Sequence, residues 1–449
     1  MPSRTIALVR ERDAFPQRTP YRVIDLFAGA GGISEGFRQA GYSIVAGLEI
    51  DPDAAATYAR NFPEATTVVG DIRTAEVRKR ILEVASSADV IVGGPPCQAY
   101  SQVRNHVRII DDPRNSLYRE FVDIVSRTLP YAFLMENVTG MDQMGVRDQI
   151  VRDLSLNGEY RVIPQVVDAA DFGVPQTRKR LLFLGVHHSL RCDPPALQGT
   201  GATERIGLQR RQGAANTHYE VIVQEDALRI GVGTALADPA DPAVVTVEQA
   251  LSDLSDLPVG NRKDVLSYER LRSPASAYQR LMREDAGDLV INVQVPRIQD
   301  DTRLRLENIP PGGNYRDLEE KLLQRYITGQ RWGQDNGSGK LSRRHFYAYR
   351  RLHPGIWAWT LNTKADSAYH YQFPRSLSVR EFARLQSFPD RFVFTTDVRQ
   401  GSVPNRVDGG PAHSRYRQVG NAVPPLLARA AAVALQQAMS DMLVRRHTA

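Results

Sequence analysis

From Tyr21 the chain alternates continuous apolar runs with amphipathic ones, and this alternation limits the fold more than any other feature. YRVIDLF, SIVAGLEI, TTVVGDI, ADVIVGG and AFLMENV read as strands, and YRVIPQVVDA and RLLFLGV as two more. Between them, ISEGFRQAG reads as a helix closed by Gly41. DPDAAATYARNF reads as a helix capped by Asp51 with Pro52 in its first turn. AEVRKRILEVA and SLYREFVDIVSRTL are further helices, the latter stopped by Pro130. Strands apolar on both faces need cover on both sides, so the pattern predicts an α/β fold, a mostly parallel sheet between helical layers. Ligands of such sheets bind outside the carboxyl ends of the strands.

The alternation stops after Val186 and returns near SLSVREFARLQSFP, a predicted helix followed by a long C-terminal one, PPLLARAAAVALQQAMSDMLV. The expected organisation is an N-terminal extension over 1–20, a first catalytic part over 21–190, a separate or inserted domain over 191–374, and a return to the first domain over 375–449. Only two cysteines, Cys97 and Cys192, are present among 449 residues, which excludes a disulfide framework and fits a reducing interior. Cys192 reads as structural. The N-terminus lacks the apolar core of a signal peptide, and no apolar run reaches membrane-span length, so a cytoplasmic protein is expected. The net charge of +6 is compatible with a polyanionic partner.

The turn after the first strand, DLFAGAGGISEG, holds Gly29 and Gly31 in the first two places of a dinucleotide fingerprint, but the third falls on Ser34. That argues against a pyrophosphate cofactor. Glu49, twenty residues beyond Gly29, suits ribose hydroxyls, and Asp71 suits an adenine amino group. A nucleoside cofactor without a diphosphate fits, and S-adenosylmethionine is the obvious one. A plain structural turn is the competing reading.

The loop VGGPPCQAYS places Cys97 after two stiffening prolines, beyond a strand's carboxyl end. An inert buried thiol is the bland reading. The chemical one is a nucleophile for an unactivated ring carbon. Carbon 5 of cytosine becomes nucleophilic only after a thiolate adds at carbon 6, and an acid must then meet ring nitrogen 3. Glu136, in LMENV at another strand end, is the candidate acid. In Gln176-Thr-Arg-Lys-Arg180, Arg178 and Arg180 would project to one face and balance charge at oxygen 2.

With these residues assembled, the chain resembles the bacterial-type DNA (cytosine-5-)-methyltransferases. DLFAGAGG, GGPPCQAYS, ENV, QTRKR, RSLSVREFARLQSFPD and QVGNAVPPLLA match that family's motifs in order, over roughly residues 21–186 and 375–435. The resemblance implies a Rossmann-like methyltransferase fold with an inserted target recognition domain, and S-adenosylmethionine as cofactor without a metal. It implies Phe27, Ile72, Pro95, Asn421 and Val423 beside the cofactor. It also implies a loop over residues 98–115 that closes on DNA, with Gln98, Ser101 and Arg114 in contact.

Residues 321–354 carry eight cations, among them Arg331, Lys340, Arg343 and Arg344, against one acidic residue, Asp335, with Tyr326, Trp332, Phe346, Tyr347 and Tyr349 interleaved. That local charge reads as a DNA-binding face. The expected partner is double-stranded DNA, with a separately encoded restriction or defence nuclease alongside. An RNA-directed relative and a catalytically silent DNA-binding regulator remain the alternatives at this level.

Overall fold

The computed structural model describes residues 20–96, 117–140, 146–213, 217–223, 244–319, 321–323, 348–396 and 411–447. Seven strands form one sheet: β1 (Arg22–Leu26), β2 (Ser43–Glu49), β3 (Thr66–Val69), β4 (Val90–Gly93), β5 (Ala132–Val138), β6 (Tyr160–Asp168) and β7 (Lys179–His187). Their order is β3-β2-β1-β4-β5-β7-β6. The pairings of β1 to β5 are parallel, whereas β7 runs antiparallel to both β5 and β6. Helices α1 (Gly32–Gln39), α2 (Pro52–Asn61), α3 (Ala75–Ala85), α4 (Leu117–Thr128) and α5 (Arg147–Leu154) fill the crossovers of the first half.

Alternation within each strand divides the core in two. Ala132 and Leu134 of β5 join Val90, Val92, Leu182 and Leu184 on one face, under α1 and the terminal helix Pro425–His447. Phe133 and Met135 join Ile24, Ile91, Leu181 and Phe183 on the other, under α3, α4 and α5. Each of the valine, leucine, isoleucine, phenylalanine and methionine side chains contributes about 1.5–3 kcal/mol on burial. Small residues set how closely the terminal helix approaches α1, since a Cβ at Gly36 would meet the carbonyl oxygen of Pro425 at 2.4 Å and Cβ of Ala428 at 2.5 Å.

Local chemistry matches the predicted helix boundaries. Asp51 caps α2 by accepting from the backbone N–H of Asp53 and Ala54, with Pro52 at the first position. The segment Val379–Leu385 begins in a capping box made by Ser378 and Glu381. Around it, fully buried arginines are paired. Arg375 makes two hydrogen bonds to Glu381, and Arg384 binds both Asp253 and Asp390. The contact with Asp253 ties the C-terminal motif to the middle segment, and removing one partner of any of these pairs would strand a buried charge.

The middle segment, where the strand–helix alternation stops, contains the hairpin β8 (Ile206–Gln212) and β9 (Thr217–Val223), the short pair β10 (Val265–Ser267) and β11 (Leu289–Ile291), and several short helices. It has small apolar clusters of its own, one built on Leu254, Leu257, Val290, Val293 and Val295. Val247, Leu251, Tyr278, Met282 and Leu352 join the main cluster instead, so apolar packing runs across the expected boundaries at 191 and 374. Cys192 is half-buried against that cluster, its thiol directed at the Ala438 carbonyl, consistent with a structural role.

Candidate active site and cofactor cleft

All five parallel strands from β1 to β5 end at the same edge of the sheet. Because β7 is reversed, its beginning reaches that edge too, where Arg180 pairs with Val138 in the β5–β7 ladder. A cleft of about 600 Å³ opens there, of a size suited to a nucleoside-sized ligand. Among the predicted residues, Phe27, Gly29, Glu49, Asp71, Ile72, Pro95, Glu136, Arg178, Arg180, Asn421 and Val423 line it. Cys97, Gln98, Ser101, Arg114, Arg331, Lys340, Arg343 and Arg344 lie outside the described residues.

The glycine loop is anchored from below and behind. Phe27 adopts a left-handed backbone, φ 61°, unusual for a side chain of its size, and Gly29 follows at φ 56°. The Gly29 N–H donates to Glu49 at 2.8 Å, so the end of β2 holds the loop that follows β1. Glu49 also accepts from the N–H groups of Ile50 and Asp51. Burial pushes its carboxyl above the usual carboxylate range, and these three donors oppose the shift. Gly31 does not line the cleft. It caps α1 at φ 102° and faces the core, where a Cβ would meet the Phe62 ring at 2.4 Å. Its glycine is needed for packing beneath the loop, not for ligand approach.

Asp71 lies two residues beyond β3 and is held by its neighbour, accepting from the Arg73 guanidinium at 2.6 Å. That pairing lowers its pKa. Three cleft residues carry no sequence motif that singles them out. Ile50 is 60% exposed, an apolar side chain without cover, and it lines the same cleft as buried Ile72. Arg73 and Arg417 also line it, and Arg417 pairs with Asp51 at 2.9 Å. Ile50 could have been found as an apolar residue directly after the acidic strand end.

At the other end of the cleft Glu136 and Arg180 form an ion pair of 2.6 Å, each about one-eighth exposed. A Cβ on Gly94 would come within 2.9 Å of Glu136 Oε2, so glycine at 94 lets that carboxylate keep its present position. The neighbouring Asn137 donates to the Pro95 carbonyl at 3.1 Å, which ties the end of β5 to the proline pair.

Arg178 behaves differently from Arg180, contrary to the expectation that both would face one ligand edge. It is 3% exposed and donates to the carbonyl oxygens of Leu361 at 3.2 Å and Gly420 at 2.7 Å. Residues 176–178 run beside Ala358 before β7 begins, which carries this side chain toward the C-terminal segment. Burial, reinforced by the nearby charge of Arg180 and opposed by Glu136, depresses its pKa well below the usual arginine value.

Of the cationic run over 321–354, only Lys321, Arg350 and Arg351 fall among the described residues. Arg351 is no contact residue. It donates to the backbone carbonyls of Ile309, Leu306 and Gln372 and braces the fold. Arg350 stacks over the Trp359 ring at 4.0 Å. Both Arg350 and Trp359 line a second groove, about 340 Å³, with Thr177, Lys179 and His353.

A seven-stranded sheet in this order with a reversed β7, closed at its carboxyl edge by a glycine loop and two acidic strand ends, defines a Rossmann-like methyltransferase. The model of the C-5 cytosine-specific DNA methylase family matches residues 21–437, and the chain belongs to that family. It is therefore a DNA cytosine-5 methyltransferase, and its activity uses S-adenosylmethionine. Similar curated proteins include the type II methyltransferase M.AgeI of Thalassovita gelatinovora, 30% identical over 93% of this chain and 100% of that protein. M.DdeI of Desulfomicrobium norvegicum is 32% identical over 91% of this chain and 87% of its own. A crystal structure of a candidate DNA modification methyltransferase encoded within an E. coli prophage superposes with a TM-score of 0.62 at 25% identity, covering 94% of this chain and 99% of that one. Among the described residues no helix is long and apolar enough to cross a membrane.

The residues present fit the cofactor. Gly32 allows the Val423 carbonyl to approach so closely that a Cβ would meet it at 2.2 Å, bringing the C-terminal segment over the glycine loop. Uncovered Ile50 offers an apolar surface for an adenine ring, and Glu49 keeps its carboxylate at the cleft.

Proposed function

We propose that this chain is the modification enzyme of a restriction–modification or phage-defence system, methylating one cytosine within a specific duplex sequence. The type II designations of its relatives support that role, with a nuclease encoded separately and the enzyme working on cytoplasmic, nucleoid-associated DNA. The observation that carries the chemistry is the Glu136–Arg180 pair, seated at the cleft edge directly behind the Pro95–Pro96 segment that leads into Cys97.

In this reading Phe27, Gly29, Glu49, Ile50, Asp71, Ile72, Pro95, Asn421 and Val423 hold S-adenosylmethionine, which supplies an electrophilic methyl group. The target nucleotide is swung out of the stack, at a cost of a few kcal/mol. The Cys97 thiolate then adds to carbon 6, and the π electrons displaced toward carbon 5 and nitrogen 3 make carbon 5 nucleophilic. Glu136 holds a proton at nitrogen 3, and Arg180 both aims that carboxyl and offsets charge at oxygen 2. Once carbon 5 is methylated, loss of its proton to water and departure of sulfur from carbon 6 as the thiolate restore the ring double bond, and the proton at nitrogen 3 returns to Glu136. Arg178 is a positioning residue that holds the Gly420–Asn421 turn. Segment 191–374 serves as the target recognition domain. Gln98, Ser101, Arg114, Arg331, Lys340, Arg343 and Arg344 contact DNA, and Lys179 and Arg350 add cations from the second groove.

The experiment is methyl transfer from tritiated S-adenosylmethionine to unmethylated DNA, with bisulfite sequencing of DNA from cells that express the protein. Methylcytosine in one sequence context supports the reading. Incorporation into RNA alone, or DNA binding without transfer, would refute it.

A further inference from the structure

We propose that Glu159, His187 and His188 form a binding site for a divalent transition-metal ion at the end of the sheet opposite the cofactor cleft. Glu159 directly precedes edge strand β6, and the two histidines stand at the end of β7. Antiparallel pairing sets Tyr160 against His187, and the His188 N–H donates to the Glu159 carbonyl at 2.8 Å, so the backbone fixes all three residues relative to one another.

The side chains converge on one point. Nε2 of His187 lies 3.4 Å from Oε2 of Glu159, and Nδ1 of His188 lies 3.2 Å from the same oxygen. One donor atom from each residue falls within 4.8 Å of the other two. Ligands about 2.1 Å from a tetrahedral zinc ion stand about 3.4 Å apart, close to the two histidine–glutamate spacings, and an ion would replace the present contact of His188 Nδ1 with the Glu159 carbonyl at 3.3 Å.

Nδ1 of His187 sits 2.8 Å from the Ser189 hydroxyl and 3.3 Å from the Ser189 backbone nitrogen. The Ser189 N–H donates to Nδ1, which leaves the imidazole proton on Nε2 facing Glu159, and an ion bound there would take the place of that proton. His187 is mostly covered, while Glu159 and His188 are about half exposed, leaving water free to complete the coordination shell. Two imidazoles and one carboxylate suit zinc, cobalt, nickel or copper and not magnesium or calcium.

The site is remote from the chemistry. His187 and Arg180 are seven residues apart on one strand, about 23 Å at strand rise. An ion there would pin the start of edge strand β6 to β7 and take no part in methyl transfer.

The test uses tag-free, chelator-treated full-length protein, titrated with Zn²⁺ by calorimetry and with Co²⁺ by visible absorption. One equivalent should bind, with affinity falling as pH drops and the imidazoles protonate. Magnesium should not compete. His188→Ala and Glu159→Gln, both at half-exposed positions, should each weaken binding by at least about tenfold. His187→Gln should do the same, and methyl transfer should be unchanged in all three. Zinc should raise the melting temperature of the parent protein and not that of His188→Ala. Absence of saturable binding, or equal affinity in parent and variants, overturns the proposal. Zinc binding that persists in the variants while abolishing methyl transfer would locate the ion on a cysteine instead, and would overturn it equally.

Discussion

The Arg178 guanidinium donates to the Gly420 carbonyl across 2.7 Å, joining the start of β7 to the turn that carries Asn421 into the cofactor cleft. Its second donor holds Leu361, so one buried cation fixes two segments far away in sequence. Arg178→Ala should leave two carbonyls unpaired and cost about 1.5–3 kcal/mol of stability. The same loss should loosen the turn and weaken S-adenosylmethionine binding by about tenfold, with DNA affinity retained. Arg178→Lys should recover only part of this, because an ammonium cannot span both acceptors with a planar fork. Calorimetric titration with the cofactor, beside thermal melts, measures both effects. A fall in kcat with cofactor affinity intact would return Arg178 to a base-facing role beside Arg180.

Glu136 and Arg180 concern the other substrate. Glu136→Gln keeps the shape and removes the acid, so kcat should fall by about 10²–10⁴ with little change in the dissociation constants for cofactor or DNA. Gly94→Ala is a sharper probe. The added methyl would meet Glu136 Oε2 at 2.9 Å, a contact that forces the carboxylate off its present position. It should lower kcat while leaving the melting temperature nearly unchanged. Stopped-flow methyl transfer and differential scanning calorimetry on the same samples decide it.

Cys97→Ser should abolish turnover while cofactor and DNA still bind, since a hydroxyl is a far weaker nucleophile than a thiolate. DNA containing 5-fluorocytosine should be trapped as a covalent adduct, because the fluorinated carbon has no proton to lose. Intact-mass spectrometry reads the adduct directly. Its absence during active turnover on normal DNA would refute addition by sulfur.

The same residues show what the sequence could and could not convey. Strand–helix alternation is a local signal, and AEVRKRILEVA became a helix over those same residues, Ala75–Ala85. The reversal of β7 is a property of strand pairing, invisible along the chain. Without it QTRKR would lie at the far edge of the sheet, away from the cleft. Gly31 looked like a ligand-approach glycine because sequence spacing does not tell which side of a loop faces Phe62. Arg351 looked like a surface cation within a basic run, yet its guanidinium is used up on backbone carbonyls. The short elements of the middle segment owe their form to tertiary packing, which a window of residues does not encode.

Asp25, in the motif that opens the glycine loop, gives the molecule a pH dependence of its own. Its carboxylate is fully buried, accepts from the N–H and hydroxyl of Ser34, and leaves Oδ1 without a donor among the described residues. Burial pushes its pKa up to about 7, with Ser34 opposing and the nearby charge of Glu49 adding to the rise. In the unfolded chain the same group titrates near its ordinary value, about 3.9. A pKa raised by folding stabilises the native state fully below the unfolded value. That contribution is lost as pH climbs through the folded one. Between about pH 4 and 7 the difference amounts to at most about 4 kcal/mol. Asp25→Asn removes the titration, so unfolding free energies of parent and variant should diverge with pH, the parent losing ground toward pH 8. Chemical denaturation at pH 5, 6, 7 and 8 measures this. Parallel curves for the two proteins would mean that Asp25 ionises in the fold as readily as it does in water.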